Sequence, residues 1–324
     1  MYEAKRSAAV LALHDGRAGN ARQAEALARA LDPVAWRGLT LQPQAPWRWA
    51  APRVWPGAGH AFGSTFGTEL GAPPRWAIGC GRQAALATRL MRARGAASVQ
   101  ILDPRLDPRL WDLVVVPTHD RLRGDNVISL LGSLNPVDDA WLAEGRAAFP
   151  TFAQLPAPRI ALLIGGPTAR TPWTTQALQG LCTSLIERVN ALGGSVLATT
   201  SRRTPGEVGE FLHARLRDVP GLLWRGDSDG INPYAGLLGW ADRIVCTADS
   251  SNLLSEACAT SAPVTAAFAD RVGGRLQQLP QALREHGRLV DWDELFDAGP
   301  AIPLRETARI AAQVRERLGE LFPG

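Results

Sequence analysis

The sequence predicts an α/β protein built from two doubly wound, Rossmann-like domains facing across a cleft. Three observations carry this. Short apolar runs such as 8–13 (AAVLAL), 113–116 (LVVV) and 159–164 (RIALLI) alternate with stretches of helical periodicity. Runs that are continuously apolar mark parallel strands covered on both faces. A segment with three prolines, 150–158 (PTFAQLPAP), interrupts the alternation, which then restarts. A chain of 324 residues is long enough for two separate cores. The expected division is 1–155, 156–303 and a terminal helix within 304–324.

The elements follow in order. After the strand 8–13, Asp15-Gly16-Arg17-Ala18-Gly19 forms a turn. Asn20 with Gln23 three residues on spells a capping box, and Ala24, Leu27, Ala28 and Leu31 share one helix face, so a helix is expected over 21–31. Residues 36–74 read as irregular. Strands return at 76–78, 98–102 and 113–116, with helices over 81–94 and 136–148. The second half predicts strands at 159–164, 195–200, 222–224, 243–247 and 263–267. Its helices are expected over 174–192, 205–217, 233–241, 250–260 and 275–286, and the last helix spans 304–321.

Composition is that of a globular protein, with 46% hydrophobic and 20% charged residues. This excludes fibrous, wholly disordered and disulfide-scaffold classes. Lys5 and 17 arginines face 13 acids in residues 1–155, whereas 17 arginines face 18 acids in the remainder. The first half is thus the basic one, which suits an acidic substrate or an anionic surface. Cys80, Cys182, Cys246 and Cys258 lack CxxC spacing and sit among apolar residues, so buried reduced thiols are expected. There is no signal-peptide pattern and no apolar run of transmembrane length, so a cytoplasmic protein is expected, with peripheral contact to the inner membrane. Tryptophan occurs 11 times, and Trp36, Trp47, Trp49, Trp55 and Trp76 accompany Arg37, Arg48, Arg53 and Arg75. Two readings stay open for this density: docking on an anionic membrane, or plugging of a loop-rich face.

In open α/β sheets ligands bind at the carboxyl ends of strands, so four loops matter. The loop His14 to Asn20 offers Gly16 and Gly19 for close backbone approach, with Asp15 or His14 as a general base. Asp15 equally suits a loop cap. The loop Gly165-Gly166-Pro167-Thr168 has the makings of an anion nest. Ser201, Arg202 and Arg203 cluster where a strand ends, with Thr204-Pro205 suited to N-cap and N1 positions. The loop from Thr247 through Asp249, Ser250 and Ser251 opens a helix whose start favours a diphosphate. Glu256, six residues beyond Ser250 or roughly 9 Å along a helix, is placed to grip ribose hydroxyls. Asn232, an N-cap, and Tyr234 begin a neighbouring helix. Asp227-Ser228-Asp229 has the DxD spelling but reads as a turn.

The segments LHDGRAGNARQ (13–23), IGCGRQAA (78–85), DPRLDPRLWDLVVVPTHD (103–120), LIGGPT (163–168), TTSRRTP (199–205), NPYAGLLGWAD (232–242) and TADSSNLLSEACATSAPV (247–264) together resemble bacterial members of the mitochondrial-fission "elongated mitochondria" family. The resemblance covers nearly the whole chain. The plant member is associated with recruiting a dynamin-related protein. The second half also resembles the donor domain of GT-B glycosyltransferases. That resemblance implies a nucleotide-diphosphate-sugar donor on the 249–256 segment and an acceptor side carrying Gly16, Gly19, Asn20, Gly81, Arg82, His119 and Asp120. It further implies a last helix that returns to the first domain. It implies no metal and no cofactor beyond the nucleotide sugar, and a lipid-linked acceptor at the inner membrane as partner, with no nucleic acid. A nucleotide-sugar epimerase using His119 and Asp120, or a non-catalytic scaffold, are the alternatives.

Overall fold

The computed structural model describes residues 9–321. The strands are β1 (Val10–His14), β2 (Trp36–Thr40), β3 (Trp76–Cys80), β4 (Ala97–Ile101), β5 (Leu113–Pro117), β6 (Val127–Leu130), β7 (Arg159–Ile164), β8 (Ser195–Thr200), β9 (Gly221–Trp224), β10 (Arg243–Thr247) and β11 (Val264–Ala267). The helices are α1 (Ala18–Leu31), α2 (Trp47–Ala50), α3 (Gly63–Gly71), α4 (Arg82–Arg92), α5 (Asp139–Ala148), α6 (Thr175–Leu192), α7 (Gly206–Arg215), α8 (Tyr234–Trp240), α9 (Ser251–Cys258), α10 (Gln278–Glu285) and α11 (Glu306–Leu321). Residue 8 of the first expected strand lies outside the described residues.

The strands form two wholly parallel sheets, ordered β2-β1-β3-β4-β5-β6 and β11-β10-β7-β8-β9. In the first, β1 turns its side chains alternately to two cores. Val10 and Ala12 join Leu27 of α1 with Ile310 and Val314 of α11, whereas Leu11 and Leu13 join Phe66 of α3 and Leu86 of α4. The second sheet packs Ile160, Leu162 and Ile164 against Leu178, Cys182 and Leu185 of α6. Burial on both faces explains why the strands read as unbroken apolar runs.

Among the described residues the compact units are 9–136 with 306–321, and 137–305. The division therefore falls before α5, not at residue 155. The reason lies in α5 and α8, whose backbones touch. A Cβ at Gly145 would lie 2.4 Å from the Ala235 carbonyl, and one at Gly239 would lie 2.8 Å from that of Leu142. The Arg146 guanidinium also donates to the Gly239 carbonyl at 3.2 Å. Helix α11 belongs to the first unit. There the Glu306 carboxylate accepts from the Leu131 amide at 2.8 Å, and the Thr307 hydroxyl donates to the Asn135 carbonyl at 2.8 Å.

Local readings need three corrections. The capping box at Asn20 is absent: α1 begins earlier, with Arg17 at the N-cap position, and the Asn20 amide bonds Asp15 instead. The segment read as irregular, 36–74, holds β2, α2 and α3. Its sequence masks them because β2 (WRGLT) is a partly exposed edge strand and α3 carries three glycines. Edge strand β6 (VISL) also lacks a run long enough to announce itself.

All four cysteines are buried and unpaired. Burial pushes their thiols up, those of Cys182 and Cys258 to about 12. A disulfide reagent at pH 8 is therefore expected to label none of the four in the native protein and all four after unfolding in denaturant. Rapid labelling of the native chain would contradict the packing.

Candidate functional site

In the second unit the chain runs β7-β8-β9 outward on one side and then returns to lay β10 and β11 on the other. The sheet order thus reverses between β7 and β10, which is where ligands gather in open α/β folds. Three of the loops singled out above follow β7, β8 and β10, and this topology brings them side by side.

Their meeting point is Asp249, whose side chain is wholly buried. Its Oδ2 accepts from the Gly166 amide at 2.9 Å and from Arg203 Nη2 at 3.1 Å, while Oδ1 accepts from the indole of Trp173 at 3.3 Å. The Gly165 amide donates to the Thr247 hydroxyl at 2.8 Å. The Thr204 hydroxyl donates to the Gly165 carbonyl and accepts from the Ser201 amide at 2.9 Å.

This arrangement revises several site expectations. The reading that gives Asp249, Gly165 and Gly166 to a donor meets a carboxylate already fully engaged by the protein. The two glycines are needed for internal approach. A Cβ at Gly165 would stand 2.1 Å from Asp249 Oδ2, and one at Gly166 would stand 2.3 Å from the Arg203 carbonyl. Thr168 is likewise committed, closing a tight turn by accepting from the Arg170 and Thr171 amides. Thr204 is not the N-cap of α7: Pro205 stands there, and Thr204 instead ties two loops together. Arg203 acts as a clamp on Asp249, while Arg202 is exposed beside a cavity of about 400 Å³ that Ser201 and Arg225 also line. Trp173 carried no signal in the sequence, because its role depends on where the chain after β7 folds back. Of the DxD-like pair, Asp229 is gripped by Arg225 at 2.9 Å, which holds its carboxyl below the usual range.

Helix α9 starts as the sequence predicts. Ser250 is its N-cap and accepts from the Leu253 amide at 3.3 Å, and Ser251 is the first helical residue. Glu256 lies on the same helix with only 1% of its surface exposed. Its Oε2 accepts a 2.5 Å hydrogen bond from the Tyr234 phenol at the start of α8. Asn232 is not the N-cap of that helix: Pro233 stands there, and Asn232 one residue earlier turns the chain by accepting from the Tyr234 amide at 3.0 Å. The Tyr234–Glu256 hydrogen bond therefore brings the start of α8 and helix α9 into one locality. The carboxylate, however, is covered by tyrosine, not open.

In the first unit the equivalent reversal of strand order lies between β1 and β3. The loop after β1 and Gly81 after β3 are neighbours there. The Asn20 amide donates to Asp15 Oδ1 at 2.9 Å, and a Cβ on Gly81 would lie 2.5 Å from that same amide nitrogen. Gly81 also has φ of +88°, a conformation that glycine adopts without strain. His14 is buried. Its Nδ1 accepts from the Gly16 amide at 3.2 Å, which places the ring proton on Nε2, facing Glu25 Oε1 at 3.2 Å. Both ring nitrogens are engaged, so His14 positions the loop; Asp15 also ties the loop together, its Oδ1 accepting from the Arg17 amide at 3.3 Å as well as from Asn20, with the Arg17 guanidinium 3.5 Å from Oδ2. Glu25 was not evident from spacing, since a helix turn separates it from the loop. Gly19 sits in the first turn of α1 and accepts from Gln23 at 3.3 Å.

Two acceptor-side expectations change. Arg82 is not turned to a ligand: its guanidinium donates to the carbonyls of Trp49 and Ala51. His119 and Asp120 follow β5, three strands from β1, or roughly 14 Å at normal strand spacing. A larger cavity of about 740 Å³ opens at the opposite strand ends, and its Arg92 and Arg109 are paired with Asp112 and Asp107. Among the described residues no helix is long and apolar enough to cross a membrane.

Comparison with solved structures places the architecture. The UDP-GlcNAc 2-epimerase of Methanocaldococcus jannaschii is similar with a TM-score of 0.59 at 13% identity, over 95% of this chain and 99% of that one. A putative UDP-N-acetylglucosamine 2-epimerase of Listeria monocytogenes gives 0.56 at 13% identity, over 96% and 97%. At such identities the likeness establishes the fold, which is of the GT-B type. The Mitochondrial fission protein ELM1 of Arabidopsis thaliana is 31% identical over 276 residues, covering 76% of this chain and 64% of that protein. The match thus spans less than two thirds of the plant protein's length. The family model described as Mitochondrial fission ELM1 matches residues 18–318. This GT-B-like chain belongs to the mitochondrial fission ELM1 family.

Proposed function

We propose that the protein is a GT-B-type glycosyltransferase that moves a sugar from a nucleotide-diphosphate sugar to an envelope lipid or polysaccharide acceptor, without a metal. The observation that carries this reading is the α9 segment. It presents a helix start capped by Ser250 and a buried carboxylate, Glu256, six residues further on. The dipole at the helix start favours the diphosphate, and the carboxylate suits ribose hydroxyls that take the place of the Tyr234 phenol now covering it. Arg202 is the arginine free to stabilise a leaving diphosphate, because Arg203 is held by Asp249. Asp15 serves as base toward the acceptor hydroxyl.

A second reading, a non-catalytic scaffold that keeps the GT-B shell, is favoured by one specific observation. Asp249, Gly165, Gly166 and Thr204 are all accounted for by contacts within the protein. The family description, mitochondrial fission, points the same way.

Calorimetry separates the two. Under the transferase reading a nucleotide sugar identified by thermal-shift screening binds. Glu256→Ala and Arg202→Ala are each expected to weaken it about tenfold or more, the loss of one charged contact. If neither substitution changes binding, or no nucleotide sugar binds, the transferase reading is wrong. Incubation with labelled donor and no acceptor tests the epimerase alternative, since only an epimerase yields a new sugar epimer.

A further inference from the structure

The tryptophan-rich segment of the first unit divides into two groups. Trp36 and Trp76 pack against the core beside α1, and Trp47 packs against the core beneath α3 and α4. These three plug a loop-rich face. Trp49 and Trp55 do not: they are 61% and 50% exposed, and Val54, next to Trp55 in sequence, is 47% exposed.

The protein holds this exposed group firmly. The Trp47 indole donates to the Pro56 carbonyl at 2.9 Å and closes 47–56 into a loop, so Trp49 and Trp55 belong to one small surface. Gly57, at φ of +72°, makes the turn beneath it. From α4, Arg82 donates to the carbonyls of Trp49 and Ala51, Gln83 to that of Arg48 at 2.9 Å, and Arg89 to that of Pro52 at 2.7 Å. Four hydrogen bonds thus fasten the loop backbone to the unit while its largest apolar side chains face water. A loop stabilised only by hydrophobic collapse would bury those side chains. The other exposed large apolar residues, Val34, Leu192, Ile231 and Ile302, are scattered along the chain.

Charge gives the surface its partner. Residues 33–68 contain no aspartate or glutamate, and their arginines are Arg37, Arg48 and Arg53. Arg37 is paired with Glu69. Arg48 is exposed with its guanidinium 4.5 Å from the Trp49 ring, and Arg53 is exposed beside Val54. Indoles favour the boundary between headgroups and acyl chains, and guanidiniums favour anionic headgroups. A protein-binding hot spot also uses Trp and Arg; what favours lipid here is that both charges on this face, Arg48 and Arg53, are cationic and that residues 33–68 carry no acid to pair with them.

We propose that the face formed by Arg48, Trp49, Arg53, Val54 and Trp55 docks the protein on an anionic lipid bilayer. This holds whether the second unit transfers sugar or not.

Flotation of the full chain with vesicles tests it. With vesicles of one part phosphatidylglycerol to three parts phosphatidylcholine at low salt, the protein co-floats. The Trp49→Ser/Trp55→Ser variant loses about tenfold or more in partitioning, and Arg48→Gln/Arg53→Gln loses about thirtyfold on anionic vesicles. Ile231→Ser/Ile302→Ser, which alters exposed apolar residues of the other unit, floats like the parent. Raising the salt weakens binding. In the unmodified protein, brominated phosphatidylglycerol quenches tryptophan fluorescence, a readout that needs no variant. Failure of the parent to float, absence of quenching, or undiminished flotation of the double tryptophan variant would each overturn the proposal. A surface that binds a protein partner instead gives the first of these results.

Discussion

Asp249→Ala is expected to destabilise the second unit by roughly 4 kcal/mol, because it strands two buried donors, the Gly166 amide and the Trp173 indole, at about 1–3 kcal/mol each. Arg203 adds less, since its side chain is half exposed and water replaces its lost partner. The melting temperature of that unit falls by about 10 °C on the scale usual for this size. Asp249→Asn keeps the shape and one acceptor oxygen, so it costs about half as much. Urea unfolding followed by circular dichroism and by tryptophan fluorescence measures both variants. A loss below about 1 kcal/mol for Asp249→Ala would show that the three loops hold together without their shared carboxylate.

Gly165→Ala should cost about 3 kcal/mol, the upper part of the range for overpacking, because the new Cβ would stand 2.1 Å from Asp249 Oδ2. The carboxylate cannot swing aside, being held by Gly166, Trp173 and Arg203. The two sites are therefore coupled. In the Asp249→Ala background the obstacle is gone, so the double variant loses less than the two single losses together, by about 1–3 kcal/mol. Gly166→Ala provides the contrast: its obstacle is the backbone carbonyl of Arg203, so removing the Asp249 side chain does not relieve it. Equal relief at both glycines would refute the geometric account.

Both results bear on function. Polar residues gathered at a reversal of strand order invite assignment to a ligand. Here Asp249, Gly165 and Thr204 serve the protein's own loops. Under the proposed function, the residues of the second unit left for a ligand are fewer: the start of α9, Glu256 under Tyr234, and Arg202. A binding experiment on Glu256 and Arg202 is thus more discriminating than one on Asp249, whose replacement disturbs the whole locality.

The alternation of β and α, the parallel sheets and the α9 segment were legible in the sequence, because each rests on local pattern. An apolar run of five or six residues between helical periodicities needs no knowledge of its neighbours, and Ser250 caps a helix three residues away. The edge strands β2 and β6 were not legible, since half-exposed strands lose the apolar run that announces a central one. Distance in sequence hid the rest. The order β11-β10-β7-β8-β9 alone puts Gly166, Arg203 and Asp249 within hydrogen-bond reach, although more than 30 residues separate each from the next. The same holds for the tryptophans. Counting them raised the question of a membrane, but only packing decided that Trp47 is a plug and that Trp49 and Trp55 face outward. Burial is set by what the rest of the chain places against a side chain, and no local pattern encodes that.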